Sequence, residues 1–418
     1  MNTIDLLVKD EVVILSEKGR RVVVTGLGMV SCLGTDTDIF FDKLCRGVDA
    51  TSPITSFQTN GLKKKFAVQI KDDIPIIDKW KHYYRTMQFC LVAAHKALQD
   101  AHIPVDTNKN EMAVSIGTMF GQIPDIQNEL CKSGTRDYQK LYDNHIREFE
   151  YSSIADSLAY EFKITGLRNT VAIDCASSTA AIGRAYRWIK SGRTEIALCG
   201  GIDTFSVLSH HIMSSMRLIS ADKARPFDAC RKGFLFGEGS GMLILETEEN
   251  ALKRGAKIHC EVLGYGCSCD AGDLNHPDEN GKGLSKAMEE AISESCLQKK
   301  DIGYINAYGV GAKTTDMSEI KSIRNTFSKE LSTLYVSSTK GSIGHTSGAS
   351  GAIDAITSIL VMKNGKIPPT VNYEENNDIA DVQVVCQKPV KFDHFAAISN
   401  SITFGGINTS ILLGKYEK

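Results

Sequence analysis

Apolar residues along this chain alternate between two rhythms. RRVVVTGLGMVS (20–31), with four successive β-branched residues and bounding glycines, predicts a strand. YRTMQFCLVAAHKALQDA (84–101) spaces its apolar residues at three and four, which predicts an amphipathic helix. EMAVSIGTMFG then reads as a strand entering a glycine turn. NTVAIDCASSTAAIGRAYRWIKSG reads as strand, sharp turn and helix, EIALCGGIDTF as a strand, and GFLFGEGSGMLILETEENALKRG as glycine-rich turn, strand and helix. IHCEVLGYGCSCD is a further strand. A second series repeats the rhythm: a helix near 283–298, the strand GYINAYG, a helix near 315–329, the strand LYVSST and a helix near 346–363. AAISNSITFGGINTSILLGKY closes the chain as two strands about a glycine turn. Strands alternating with helices predict an α/β protein with mostly parallel sheets, and the two series suggest an internal duplication.

The GLG of the first strand (Gly26, Leu27, Gly28) begins a dinucleotide fingerprint, but Ser31 stands where the third glycine belongs. A tight turn is the expected reading there.

The totals narrow the class. The chain has 418 residues, 42% hydrophobic and 23% charged, enough for a large core. A net charge of −2 gives no basic balance toward nucleic acid and no global field toward a membrane. No apolar run is long enough to span a bilayer. Residues 1–19 read as an extension ahead of the folded body. Asp5, Lys9, Asp10 and Glu11 interrupt them, so they lack the apolar core of a signal peptide. The 12 cysteines are scattered and none forms a CxxC pair, which speaks against zinc. A reduced, cytoplasmic protein is expected, with cysteines serving mostly as small core residues.

Several residues carry a chemical signal. Cys175, in AIDCASSTAAIG, lies between a strand and an alanine-rich helix, where the helix dipole favours thiolate. A buried core thiol and a nucleophile on a sharp elbow are both open readings. His345, in SSTKGSIGHTSGASGAID, lies between a strand and a small-residue helix, with Lys340 five residues earlier. A lone histidine is ordinarily structural, but the small neighbours permit close approach of a ligand; a phosphate loop is the competing reading, against which GxxxxGK[ST] is absent. Asp316 and Glu319 stand three apart near a helix start, where capping and dipole complementarity are the ordinary role. The glycines at 237, 239, 241, 405 and 406 read as corners first and as oxyanion donors second. The Ser-His-His at 209–211 matches no metal spacing and reads as surface or loop.

Taken in order, the segments VVVTGLGMVS, DCASSTAAIG, CGGID, RPFDACRKGFLFGEGSGMLILE, NAYG…D..E, VSSTKGSIGHTSGASGA and NSITFGGINTS resemble the β-ketoacyl-acyl carrier protein synthases, elongating condensing enzymes of the thiolase-like fold. The resemblance runs from about Arg20 to Tyr416. It implies a duplicated α/β fold in five layers, αβαβα, with two mixed five-stranded sheets. The halves are expected at 20–267, carrying Cys175, and at 268–418, carrying Tyr308, Lys340 and His345. It also implies a dimer, homomeric or formed with a homologous ketosynthase, and an acyl carrier protein as partner. No metal or bound cofactor is implied; phosphopantetheine arrives on the carrier protein.

In such enzymes a cysteine takes the acyl chain, and two histidines promote decarboxylation of malonyl-carrier protein. By position, Cys175 matches the acylated cysteine, His345 the second histidine, Lys340 the family lysine and Glu319 its ion-pair partner. Phe404 matches the gating phenylalanine, whose N–H and that of Cys175 form the oxyanion hole. The family's His-Gly-Thr-Ser-Thr-Pro is replaced here by Tyr308, Gly309, Val310, Gly311, Ala312 and Lys313. The first histidine and both pantetheine-holding threonines are lost. Tyrosine keeps one donor but does not become a cation near neutral pH. Asp174, beside the cysteine, replaces a small neutral residue and opposes thiolate if its carboxylate lies close. Two functions stay open: a chain-length-factor-like partner of an active ketosynthase, slightly favoured by the altered loop, and an active synthase or acyltransferase using Cys175, His345 and Tyr308.

Overall fold

The computed structural model describes residues 20–105, 109, 111–133 and 148–417. The expected extension at 1–19 lies outside the described residues. Eleven strands form the main sheet: β1 (Val22–Val30), β2 (Ala113–Gly117), β3 (Arg168–Val171), β4 (Ile196–Asp203), β5 (Gly239–Thr247), β6 (Cys260–Cys269), β7 (Ile302–Asn306), β8 (Tyr335–Ser337), β9 (Gln383–Val384), β10 (Ala396–Ile402) and β11 (Ile407–Gly414). Every residue of β1 and β5 is buried, as continuous apolar runs require when both faces are covered.

Duplication is visible in the pairing. The order β3-β2-β4-β5-β1 has two parallel joints followed by two antiparallel ones. The order β8-β7-β10-β11-β6 repeats that pattern, so β6, expected in the first half, belongs with the second. Two details differ from expectation. The five-stranded halves are not separate sheets: β1 and β6 pair antiparallel through Val22–Val262, Val23–Glu261 and Val24–Cys260, and β9 adds to the edge beyond β8. Nor is the sheet mostly parallel, because antiparallel joints occupy its whole middle.

Helices complete the five layers. Helix α1 (Arg85–Asp100) covers β1 and β5 from outside, while α3 (Lys282–Ser293) and α4 (Lys313–Thr326) cover the second half. Between the halves lie α2 (Ser177–Lys190) and α5 (Ser350–Asn364), packed on each other and on strands of both halves. Helix α5 is buried from Ser350 through Met362, as a central helix must be.

The GLG motif is not a turn. Gly26 and Gly28 lie within β1, where a Cβ would come within 2.2 Å of the Ala97 carbonyl oxygen and 2.0 Å of that of Ala93. The glycines let α1 sit directly on the strand. Gly239 and Gly241 are likewise strand residues of β5 rather than corners. Gly405 and Gly406, with φ of 85° and 79°, do form the corner between β10 and β11. Their N–H groups bond to the carbonyls of Leu274 and Thr403, so neither is an oxyanion donor. The Ser-His-His segment is helical (Val207–Ser215), with His210 buried and His211 exposed. Among the described residues, no helix is long and apolar enough to cross a membrane.

Candidate active site

Cys175 sits where the chain leaves β3, in a tight turn of residues Asp174–Ala176 that opens α2. The turn is sharp because Asp174 adopts φ 52°, a left-handed conformation that Asp tolerates better than most residues. Ser177 locks it: its Oγ accepts from Ile173 N at 2.9 Å and donates to the Asp174 carbonyl at 2.6 Å. Gly117 of β2 lies against the Ser177 backbone, and a Cβ there would come within 2.3 Å of it. The strand–turn–helix elbow expected at Cys175 is therefore present.

His345 is held as a short bridge against the Phe-Leu-Phe segment 234–236. Its N–H donates to Leu235 O at 2.7 Å, and its carbonyl accepts from Gly237 N at 2.9 Å. The ring packs edge-on against Phe234. Asp203 ties the following bend to the first half, accepting from Gly348 N at 2.6 Å and from Met119 N at 2.8 Å.

These supports bring the side chains together. His345 Nε2 lies 2.9 Å from Cys175 Sγ and 3.2 Å from the Tyr308 hydroxyl, and all three residues are at most 4% exposed. The Tyr308 hydroxyl also interacts with the Cys175 sulfur. Burial pushes the Cys175 thiol up to about 12; Tyr308 pulls it down, Asp174 and Asp203 push it further up, and Lys340 lowers it. Burial and the Lys340 cation hold His345 well below the ordinary imidazole range, so its ring is neutral. Burial, with the nearby Cys175 sulfur, holds Tyr308 well above the ordinary phenol range, so it stays protonated. Phe404 follows β10 half-buried against the apolar cluster that contains Cys175 and Tyr308.

Two carboxylates shape the altered loop. Glu319 accepts from Tyr308 N at 2.9 Å and Gly309 N at 2.8 Å, and Asp316 accepts from Val310 N and Gly311 N, both at 3.0 Å. Four consecutive loop amides are thus held from α4. This corrects the expected pairing of Glu319 with Lys340. The Lys340 ammonium instead meets Asp354 of α5 at 2.7 Å, with both side chains almost wholly buried. Its charge also lies 5.2 Å from the centre of the Tyr308 ring, a cation–π distance.

Residues 19–251 match the family model of the β-ketoacyl synthase N-terminal domain, and residues 259–374 match that of the C-terminal domain. The chain belongs to the β-ketoacyl synthase family. A 3-oxoacyl-[acyl-carrier-protein] synthase 2 of Synechocystis is 32% identical, over 95% of this chain and 99% of the relative. The ishigamide ketosynthase/chain length factor structure superimposes with TM-score 0.88 at 31% identity, covering 96% of this chain and 100% of the other. A β-ketoacyl synthase from Burkholderia phymatum gives 0.86 at 28% identity, covering 95% and 100%.

Within this synthase fold, the sequence reading left four contributors unnoticed: Asp203, Thr346, Ser350 and Asp354. Asp354 had a signal, since it is the one acidic residue in the otherwise apolar run of α5, where a lone charge demands a partner. Ser350 had none beyond its place five residues after His345; small residues there read as packing.

Proposed function

We propose that this protein takes an acyl chain from the phosphopantetheine arm of an acyl carrier protein onto Cys175, as a ketosynthase-family acyltransferase or condensing enzyme. The observation that carries this reading is the buried contact of Cys175 with His345 and Tyr308. A nucleophile flanked by two hydrogen-bonding groups at a helix N-terminus has the parts that thioester exchange requires. In this reaction the Cys175 sulfur attacks the thioester carbonyl, and its proton leaves with the pantetheine thiol. The amides of Cys175 and Phe404 receive the developing oxyanion. Lys340, held by Asp354, stands behind Tyr308 as a fixed positive charge. The malonyl half of the reaction is weaker, because Val310 and Ala312 offer no hydroxyl and Tyr308 offers one donor in place of an imidazole.

That weakness supports a second reading, a chain-length-factor-like subunit paired with a homologous active ketosynthase. The likeness to the ishigamide ketosynthase/chain length factor is in keeping with it. In either case the protein pairs with a second copy or a homologous ketosynthase.

Intact-protein mass spectrometry after incubation with acyl-carrier protein separates the two. The first reading expects an acyl adduct on this chain that vanishes in Cys175→Ala. An unmodified chain beside an acylated, co-purified ketosynthase would overturn it in favour of the second.

A further inference from the structure

The imidazole of His345 has a second edge that the transfer reaction does not touch. Nδ1 lies 2.9 Å from the Ser350 hydroxyl, and that hydroxyl lies 3.1 Å from Thr346 Oγ1. Ser350 and Thr346 are buried, and among the described residues the Thr346 hydroxyl has no other hydrogen-bond partner. On the opposite edge, Nε2 meets two groups, Cys175 Sγ and the Tyr308 hydroxyl.

These contacts admit two proton arrangements in a neutral ring. In one, Nδ1–H donates to Ser350, and Ser350 donates to Thr346. The Thr346 proton then has no acceptor, while the phenol can donate to the sulfur and the thiol to Nε2. In the other, Thr346 donates to Ser350, Ser350 donates to Nδ1, and the ring proton sits on Nε2. Every hydroxyl proton of the buried pair is then used, Nε2–H faces a sulfur and an oxygen that both accept, and the one proton left without an acceptor is the thiol's, a weak donor. An unsatisfied buried hydroxyl costs more than one lost hydrogen bond, so the second arrangement prevails.

We infer that Ser350 and Thr346 are positioning residues that fix His345 as a hydrogen-bond donor toward the Cys175 sulfur. The inference rests on the acyl-transfer reading for its purpose, though not for its geometry. Fixed this way, His345 and Tyr308 both donate to the thiolate that attacks the thioester. Thr346 completes the arrangement from just before the 3-10 turn (Ser347–Ala349) that leads into Ser350.

Two measurements on the full chain test this. The first is a two-bond ¹H–¹⁵N correlation spectrum of protein labelled at histidine nitrogen, with His345 assigned by its loss in His345→Gln. A neutral ring protonated at Nε2 is expected, and a ring protonated at Nδ1 would overturn the inference even if no variant folds. The second is the rate of Cys175 alkylation by iodoacetamide at pH 8, read by peptide mass mapping. Loss of one neutral hydrogen bond in Ser350→Ala should slow it about two- to tenfold. Ser350→Thr, which keeps the hydroxyl, should restore much of it. An unchanged rate in a folded Ser350→Ala protein would also refute the inference. Acylation by acyl-carrier protein is scored separately. If the Nε2–H ring and the slowed alkylation appear but no acyl adduct forms, the inference stands and the transfer reading fails.

Discussion

The sulfur of Cys175 lies 2.9 Å from Nε2 of His345, although 170 positions separate the two residues in the chain. Each stands just ahead of one of the two central helices, α2 and α5, and those helices pack against each other between the sheet halves. The site therefore exists only where the two duplicated halves meet.

Burial governs the first prediction. With the Cys175 thiol pushed up to about 12, thiolate is the minor form throughout the accessible range. Only thiolate reacts, so alkylation of Cys175 should quicken about tenfold per pH unit from pH 7 to 10. Peptide mass mapping separates it from the exposed cysteines 230, 267, 269 and 296. A plateau below pH 9 would contradict this account of the site.

Asp174 opposes the thiolate by its charge and is spared a stronger effect by its partial exposure. Asp174→Asn keeps a residue that tolerates the left-handed φ and removes the charge. Its alkylation rate at pH 8 is expected to rise roughly two- to tenfold. A slower rate would mean that the carboxylate aids the nucleophile.

Tyr308→Phe deletes the hydroxyl that faces both sulfur and imidazole while preserving the ring over Lys340. Acyl transfer should fall by about 10²–10³, the usual effect of losing one donor at a developing charge. Restoring histidine alone should not bring malonyl turnover, because Val310 and Ala312 still lack hydroxyls. Carbon dioxide release from malonyl-carrier protein should appear only when Tyr308→His is combined with Val310→Thr and Ala312→Thr.

The Lys340–Asp354 pair is 1% and 2% exposed. Lys340→Met leaves a buried carboxylate without its cation, which should cost about 3–5 kcal/mol in urea unfolding. Lys340→Met with Asp354→Leu should recover most of that loss, and failure to recover would show that the pair is not an isolated charge couple.

Gly117→Ala tests how the elbow is seated. Its Cβ would lie 2.3 Å from the Ser177 backbone, so the turn carrying Cys175 must shift. A loss of about 1–3 kcal/mol is expected, with slower acylation in the protein that remains folded.

The chain's own periodicity determined the α/β class, the five longest helices, most strands of the main sheet and the elbow at Cys175; it did not mark the helices Thr37–Cys45, Ile123–Ser133, Ser152–Glu161 and Val207–Ser215. These depend on local runs of apolar residues and on turn chemistry, which neighbours in sequence already fix. The altered loop at Tyr308, Val310 and Ala312 was also legible, because it is a matter of residue type. Tertiary structure decided the rest. Whether glycines such as Gly26 and Gly241 form corners or let elements approach closely depends on what lies across from them, which spacing does not encode. The union of the two half-sheets through β1 and β6 needs only three residue pairs and leaves no sequence pattern. Asp354 takes the partnership with Lys340 expected of Glu319, because a carboxylate's partner is set by which groups packing brings against it, not by its separation along the chain. Ser350 and Thr346 acquire meaning for the same reason: a small hydroxyl gains a role only when packing buries it against a ring nitrogen and leaves it no water.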